Sequence, residues 1–230
     1  MKIVLQKYIA ESGFCSRRRA EELIRQKKVK VNNEIAELGT RVSEKDEVVI
    51  AGKEIKLIKK KIYIILNKPA GYTCTNRKFK GEKNIFELVD VKERLYTVGR
   101  LDKNSHGLVL LTNDGDLTEQ LTHPRFEHEK EYLVKLKVKS EKFKVEEIIK
   151  SFRKGVDIGE NEIGKAKNVE YLGDDKFRII LTEGKKRQIK RMFGALNLEV
   201  ADLKRIRISS VKLGNLKRGK WIYLEKNEIV

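Results

Sequence analysis

The sequence predicts an α+β protein in two parts: a small helical and hairpin domain over residues 1–57, then a larger domain over 62–230 rich in strands with flanking helices. The first fifty-odd residues hold two short amphipathic patterns and turn-centred hairpins, and Lys56 to Lys61 then places four Lys in six residues, as a linker would. Beyond it, short alternating or wholly apolar runs recur to the end of the chain, with few helical patterns among them. Hydrophobic residues make up 40% of the 230, enough for a core and too many for a disordered basic tail.

Leu5, Tyr8 and Ile9 fit a short helix that stops near Ser12-Gly13. Ser16 then suits the N-cap of a second helix through about Lys27, with Ala20, Leu23 and Ile24 facing inward. Val29-Lys30-Val31, the turn former Asn32-Asn33 and Ile35 read as a hairpin, and Val48-Val49-Ile50 with Ile55 and Leu57 as another. The second helix opens on Arg17, Arg18 and Arg19, although cations at a helix N-terminus oppose its dipole at very roughly 0.3–1 kcal/mol each. Something other than helix stability placed them there.

Charge narrows what that is. The chain carries 52 Lys and Arg against 34 Asp and Glu, a formal +18, which predicts a polyanionic partner: RNA, DNA or an anionic membrane. No apolar run has the length of a membrane span, and the first residues lack the apolar core of a signal peptide, so no membrane role and a cytoplasmic setting are expected. Phosphate contact by Arg17, Arg18, Arg19 and Lys30, with Lys27 and Lys28 extending the surface, accounts for the arginine run. Cys15 and Cys74 match no metal or redox spacing, and His106, His123 and His128 form no metal motif, so no metal is expected.

In the larger part, Tyr63-Ile64-Ile65-Leu66 is a short apolar run broken by the turn Asn67-Lys68-Pro69-Ala70-Gly71. Arg77 to Lys83 reads as a polar, basic loop. The polar stretch from Gly99 to Gly107 holds one carboxylate, Asp102, between Arg100 and Lys103, and runs into Leu108-Val109-Leu110-Leu111, a buried strand. The neighbouring cations favour an ionised Asp102, a ready oxygen nucleophile or base. Asp116 to Thr122 fits a helix ended by His123-Pro124. Glu129 to Val138 alternates as a strand, with Tyr132, Val134, Leu136 and Val138 on one face. Phe143 to Phe152 reads as an amphipathic helix, and Phe177 to Thr182 as a strand. In the helix after Gly184, Ile189, Met192, Phe193 and Leu196 face the core, Arg187 and Arg191 lie opposite and exposed, and Lys190 sits on the border. Asp202 to Ile208 and Gly219 to Leu224 close the sheet.

Four of these segments, in order, resemble the ribosomal RNA pseudouridine synthases of the small-subunit type. Ser16 to Ile24 with Val29 to Asn32 is similar to the α-L RNA-binding motif. Gly99-Arg100-Leu101-Asp102 followed by Ser105-His106-Gly107-Leu108 resembles the family's signature loop. Lys130-Glu131-Tyr132 matches its Lys-x-Tyr motif, and Arg187-Gln188-Ile189-Lys190-Arg191-Met192 its basic helix; besides these four, Asn67 to Gly71 resembles the turn after its first strand.

The resemblance implies a catalytic domain on a mixed, mostly antiparallel sheet and the isomerisation of uridine to pseudouridine in ribosomal RNA, with no cofactor. It assigns Asp102 as the essential catalyst, Tyr132 to stack on the uracil, Lys190 to pair with Asp102, and Arg100 to brace the place a flipped base leaves. Many relatives carry Arg where Lys190 stands, so the pairing stays open between Lys190, Arg187 and Arg191. Lys68, Arg187 and Arg191 are expected near RNA. Cys74-Thr75 and Glu129 to Tyr132 favour a large-subunit target, and a monomer is the default. A non-catalytic RNA-binding or ribosome-assembly factor would use the same surface. A methyltransferase would need a Gly-rich loop that Asn67 to Gly71 does not supply.

Overall fold

The computed structural model describes residues 2–77, 79–137 and 144–229. These divide into two compact units. The first runs to Ile62 and also takes in Val91–Tyr96 and Thr112–Gly115; the second holds the remainder. The Lys-rich stretch expected as a linker is packed into the first unit. There Ile58 donates its amide to Glu11 O, and Lys60 O accepts from the Asn113 side chain.

The first unit is built on α1 (Leu5–Glu11) and α2 (Arg17–Arg25). Ser16 caps α2 as its residue type predicts, accepting the Arg19 amide at 3.3 Å. Leu5, Tyr8, Ile9, Ala20, Leu23 and Ile24 are buried against Val29, Val48 and Ile50. Those valines and that isoleucine belong to a four-stranded antiparallel sheet in the order Glu34–Ile35, Val29–Val31, Val48–Ile50, Lys53–Ile55. Asn32 and Asn33 both adopt positive φ, the requirement of the tight hairpin read from the sequence. Ile35 pairs with Lys30 in that hairpin, as read, with its side chain exposed.

The second unit is one mixed sheet with helices. Its strands are β1 (Tyr63–Lys68), β2 (Tyr96–Val98), β3 (His106–Thr112), β4 (Lys130–Leu136), β5 (Asn168–Gly173), β6 (Lys176–Leu181), β7 (Val200–Ile208), β8 (Val211–Lys212) and β9 (Trp221–Tyr223). They run in the order β5-β6-β4-β7-β3-β1-β9, with β2 beside β3 and β8 beside β7. β5–β6, β6–β4, β4–β7, β7–β8 and β1–β9 are antiparallel, whereas β3 and β7 run parallel. The mixed, mostly antiparallel sheet expected from the sequence is therefore the one observed.

β3 is buried along its whole length, as its apolar run requires. On β4, Tyr132, Val134 and Leu136 are buried and Lys135 is exposed, reproducing the alternation; Val138 lies outside the described residues. Three α-helices accompany the sheet among the described residues: α3 (Gly115–Thr122), α4 (Val145–Lys154) and α5 (Gln188–Gly194). The expected start of α4 at Phe143 also lies outside the described residues, as does Lys78 of the basic loop. The rings of Phe152, Phe177 and Phe193 pack at steep angles to one another between α4, β6 and α5.

The parallel β3–β7 pairing sets the position of the Asp102 loop. Gly107 faces Arg205 in register, and a Cβ on Gly107 would lie 2.2 Å from the Arg205 carbonyl oxygen. Only glycine lets the two backbones come this close, and φ of +101° at Gly107 adds a second reason for it.

Candidate active site

Asp102 lies at one wall of a cavity of about 590 Å³ within the second unit. That volume suits a single nucleoside. Arg100, Leu101, Lys103 and Ser105 of the loop line it, together with Cys74, Lys130, Tyr132 and Arg205. The segment Gly184 to Ile189 closes another side, and Leu181 and Leu203 supply apolar wall. Asp102 is half-buried, and among the described residues its carboxylate makes no hydrogen bond or ion pair.

The loop is held from beneath by a lysine. Lys68 ends β1 and is 0% exposed, and its Nζ donates to the carbonyls of Pro69, Asp102, Lys103 and Ser105 at 3.0, 3.1, 3.1 and 2.6 Å. The next turn adds a backbone bond from the Gly71 amide to Lys103 O at 2.7 Å. Lys68, expected near RNA, is buried with its ammonium spent on loop carbonyls, so it is a strut for the loop carrying Asp102. Burial pushes the ammonium down to about 8; the Asp102 carboxylate holds it up, and Arg205 and Lys190 press it further down.

A second buried cation, Arg205, sits beside it on β7. Its Nε donates to Leu108 O at 2.8 Å and one terminal nitrogen reaches Arg100 O at 3.4 Å. The other terminal nitrogen is buried without a partner among the described residues. Arg205 is 2% exposed and stands opposite Tyr132 across the β4–β7 ladder. It was missed in the sequence, where it looks like one more base in a basic strand. The signal was the pleat: Arg205 shares a face with buried Leu203, two residues earlier.

Tyr132 is buried and lines the cavity. Cys74 lines it too. Burial raises its thiol pKa against the lowering effect of a hydrogen bond from the Leu101 backbone, so it is a neutral wall.

The basic segment differs from the helical-wheel reading. α5 begins only at Gln188, and Arg187 is its N-cap in a left-handed conformation, φ 53°. Arg187 therefore precedes the helix and lines the cavity mouth with Lys185 and Lys186. Gln188 steadies this turn, donating to Glu183 at 2.6 Å and accepting the Lys185 amide at 3.1 Å.

Arg191, expected on the exposed face, is bound within the protein. It donates to Ile158 O and Gly159 O at 2.7 Å each and to Glu162 at 2.6 Å. Lys190 is half-buried, and the expected ion pair with Asp102 is not made: none of Lys190, Arg187 and Arg191 comes within 4.0 Å of that carboxylate. Lys190 and Asp102 nonetheless both act electrostatically on Lys68, which places them around the same group.

In the first unit, Arg17, Arg18, Arg19 and Lys30 are all exposed. Arg19 is paired with Glu22 at 2.8 Å. Among the described residues no group of three or more His, Cys, Asp or Glu could hold a metal, and no helix is long and apolar enough to cross a membrane.

A basic surface unit and a nucleoside-sized cavity with one carboxylate, an aromatic wall and a cationic mouth define an enzyme that works on a base of a nucleic acid. Comparison with known proteins gives the class its name. The model of the RNA pseudouridylate synthase family matches residues 62–195, and that of the S4 domain residues 5–48. An uncharacterized RNA pseudouridine synthase of Aquifex aeolicus is 40% identical, covering 100% of this chain and 93% of that protein. Ribosomal large subunit pseudouridine synthase B of Bacillus subtilis is 35% identical over 98% of this chain and 93% of its own length. The dual-specificity RNA pseudouridine synthase RluF of Escherichia coli is 39% identical over 98% and 77%. A pseudouridylate synthase crystal structure superposes with a TM-score of 0.71 at 34% identity, covering 99% of this chain and 98% of that one. The chain belongs to the RNA pseudouridine synthase family and is an enzyme that makes pseudouridine in RNA, with an S4-type RNA-binding unit at its N-terminal end.

Proposed function

We propose that this enzyme isomerises a single uridine of ribosomal RNA, in the large subunit rather than the small, with Asp102 as its essential catalyst. The observation that carries the reading is an Asp102 carboxylate left without a partner in a cavity of nucleoside size, on a loop braced by Lys68 and Arg205. A carboxylate whose backbone is fixed and whose oxygens are free is available to a substrate atom. The large-subunit preference is supported by the Bacillus subtilis relative, whose name specifies that subunit.

The reaction breaks the bond from ribose C1′ to uracil N1 and forms one from C1′ to C5, while C5 loses a proton and N1 gains one. Attack of Asp102 on C1′, its attack on the base, and abstraction of a sugar proton to give a glycal all begin from the carboxylate form. None changes oxidation state or transfers phosphate, so the chemistry calls for no cofactor. The uridine must leave its stack to enter the cavity, and Arg100, exposed at the mouth, braces the place it vacates. Tyr132 holds the detached uracil while it turns. Lys190 contributes positive field to the Asp102 side of the cavity, and Arg187 at its mouth takes RNA phosphate. Arg17, Arg18 and Lys30 bind the backbone of the same RNA in the cytoplasm, with the enzyme acting as a monomer.

Carbodiimide mapping of pseudouridine in both ribosomal RNAs tests this. A strain lacking the gene should lose one modified position, regained with the wild-type gene and not with Asp102→Asn. Recovery with Asp102→Asn would remove Asp102 as the catalyst. No change at any ribosomal uridine would move the substrate to another RNA.

A further inference from the structure

We propose that the one-turn helix Pro124–Phe126 carries a stacking platform for the nucleobase next to the target uridine, with Phe126 as its surface. The proposal rests on the reading that the cavity receives the flipped uridine. Thr122 and Pro124 line the cavity, the chain then leaves it, and it returns to the wall at Lys130 and Tyr132. Arg125 to His128 is therefore an excursion from the rim, anchored to the cavity at both ends.

The composition of that excursion suits a base. Phe126 is 42% exposed. His123 approaches its ring edge-on at 6.3 Å between centroids, and His128 lies at 6.2 Å. The Arg125 guanidinium stands 4.5 Å from the Phe126 centroid and, among the described residues, makes a long, exposed contact of 3.7 Å to Glu119. Three rings and a guanidinium are grouped at a mouth that is otherwise cationic.

The backbone holds them in place. His123 Nδ1 accepts the Arg125 amide at 3.2 Å, and Glu127 takes a left-handed φ of 49°, reversing the chain behind the ring. A platform fixed before binding costs little ordering when a base arrives. Extruding one nucleotide from a stack exposes a face of its neighbour, and an aromatic ring replaces the lost partner whatever the base is. The occupant is thus a nucleobase of the substrate RNA, recognised by its π-face rather than its edge.

The first test is steady-state tritium release from ribosomal RNA labelled at uridine C5 and prepared from a strain lacking the gene. Phe126→Ala should raise KM about tenfold with kcat within about twofold, and Phe126→Trp should restore KM. Tyr223→Ala, which removes a ring 59% exposed on β9 and outside the cavity lining, should leave both constants unchanged. An unchanged KM in Phe126→Ala, or a loss confined to kcat, overturns the platform.

The second test needs no knowledge of the natural target. Heptauridylate carrying one 2-aminopurine beside its central uridine is titrated with the Asp102→Asn protein, which should quench the fluorescence. The same protein with Phe126→Ala should not, and equal quenching by both overturns the proposal. The titration reads Phe126 whatever Asp102 does, whereas tritium release by Asp102→Asn alone sinks the catalytic reading and leaves the platform standing.

Discussion

Arg17 and Arg18 stand exposed at the start of α2, while Lys68 and Arg205 are buried beneath the Asp102 loop. The two pairs have the same formal charge and opposite uses. The exposed pair opposes a helix dipole and faces solvent, where salt screens it and phosphate can neutralise it. The buried pair grips the carbonyls of Arg100, Asp102, Lys103, Ser105 and Leu108, so the same positive charge becomes a bracket for backbone. Burial, not residue type, decides whether a cation is left to solvent or is spent on the backbone carbonyls of its own chain.

Removing the buried bracket should have the largest effect. Lys68→Met should cost about 2–4 kcal/mol in denaturant unfolding, because several loop carbonyls lose their donor together. Single-turnover activity should fall about a hundredfold as the loop relaxes. Both losses should be the same at about 50 and 200 mM salt. A variant as stable and active as the wild type would mean that the carbonyls need no cation.

Lys68 also gives a pH signature. Its folded pKa of about 8 lies below its ordinary 10.5, so between those values the unfolded chain binds more protons than the folded one. Wild-type stability should therefore gain on that of Lys68→Met as pH rises through this window. The gain is complete above 10.5 and lost as pH falls through about 8. Denaturant melts across the window check it, and parallel pH curves for the two proteins would contradict it.

The exposed pair should behave in the reverse sense. Arg17→Ala with Arg18→Ala should leave the fold as stable or raise it by about 0.5 kcal/mol, since two cations leave a helix N-terminus. RNA affinity should drop about tenfold at low salt, and the slope of log K against log salt should shrink by about two. The smallest effect belongs to Arg19→Ala. Its charge is already engaged by Glu22 in an exposed pair, so affinity should change less than about threefold in the same titration.

Much of this protein could be read from residue type and spacing because local physics agreed with the fold. The Ser16 cap, the Asn32-Asn33 turn, the apolar run of β3 and the inward face of Tyr132 follow from rules of period two, period 3.6 and backbone preference. Lys68 and Arg205 broke the rule that long cations stay in water, and only the neighbouring carbonyls, brought together by the tertiary fold, explain their burial. Arg191 is misplaced because the wheel assumes a helix from Gly184, whereas the first turn is a loop and Arg191 finds Glu162 on a distant hairpin; Arg187 is exposed as read, but as the left-handed N-cap.

The left-handed backbone of Arg187 has an evolutionary corollary. An L-residue there costs on the order of 1 kcal/mol that glycine would recover. Selection for heat resistance alone would thus drift toward glycine at 187 and strip a guanidinium from the cavity mouth. Retaining arginine at that site in a lineage grown hot would record that its work outweighed the strain.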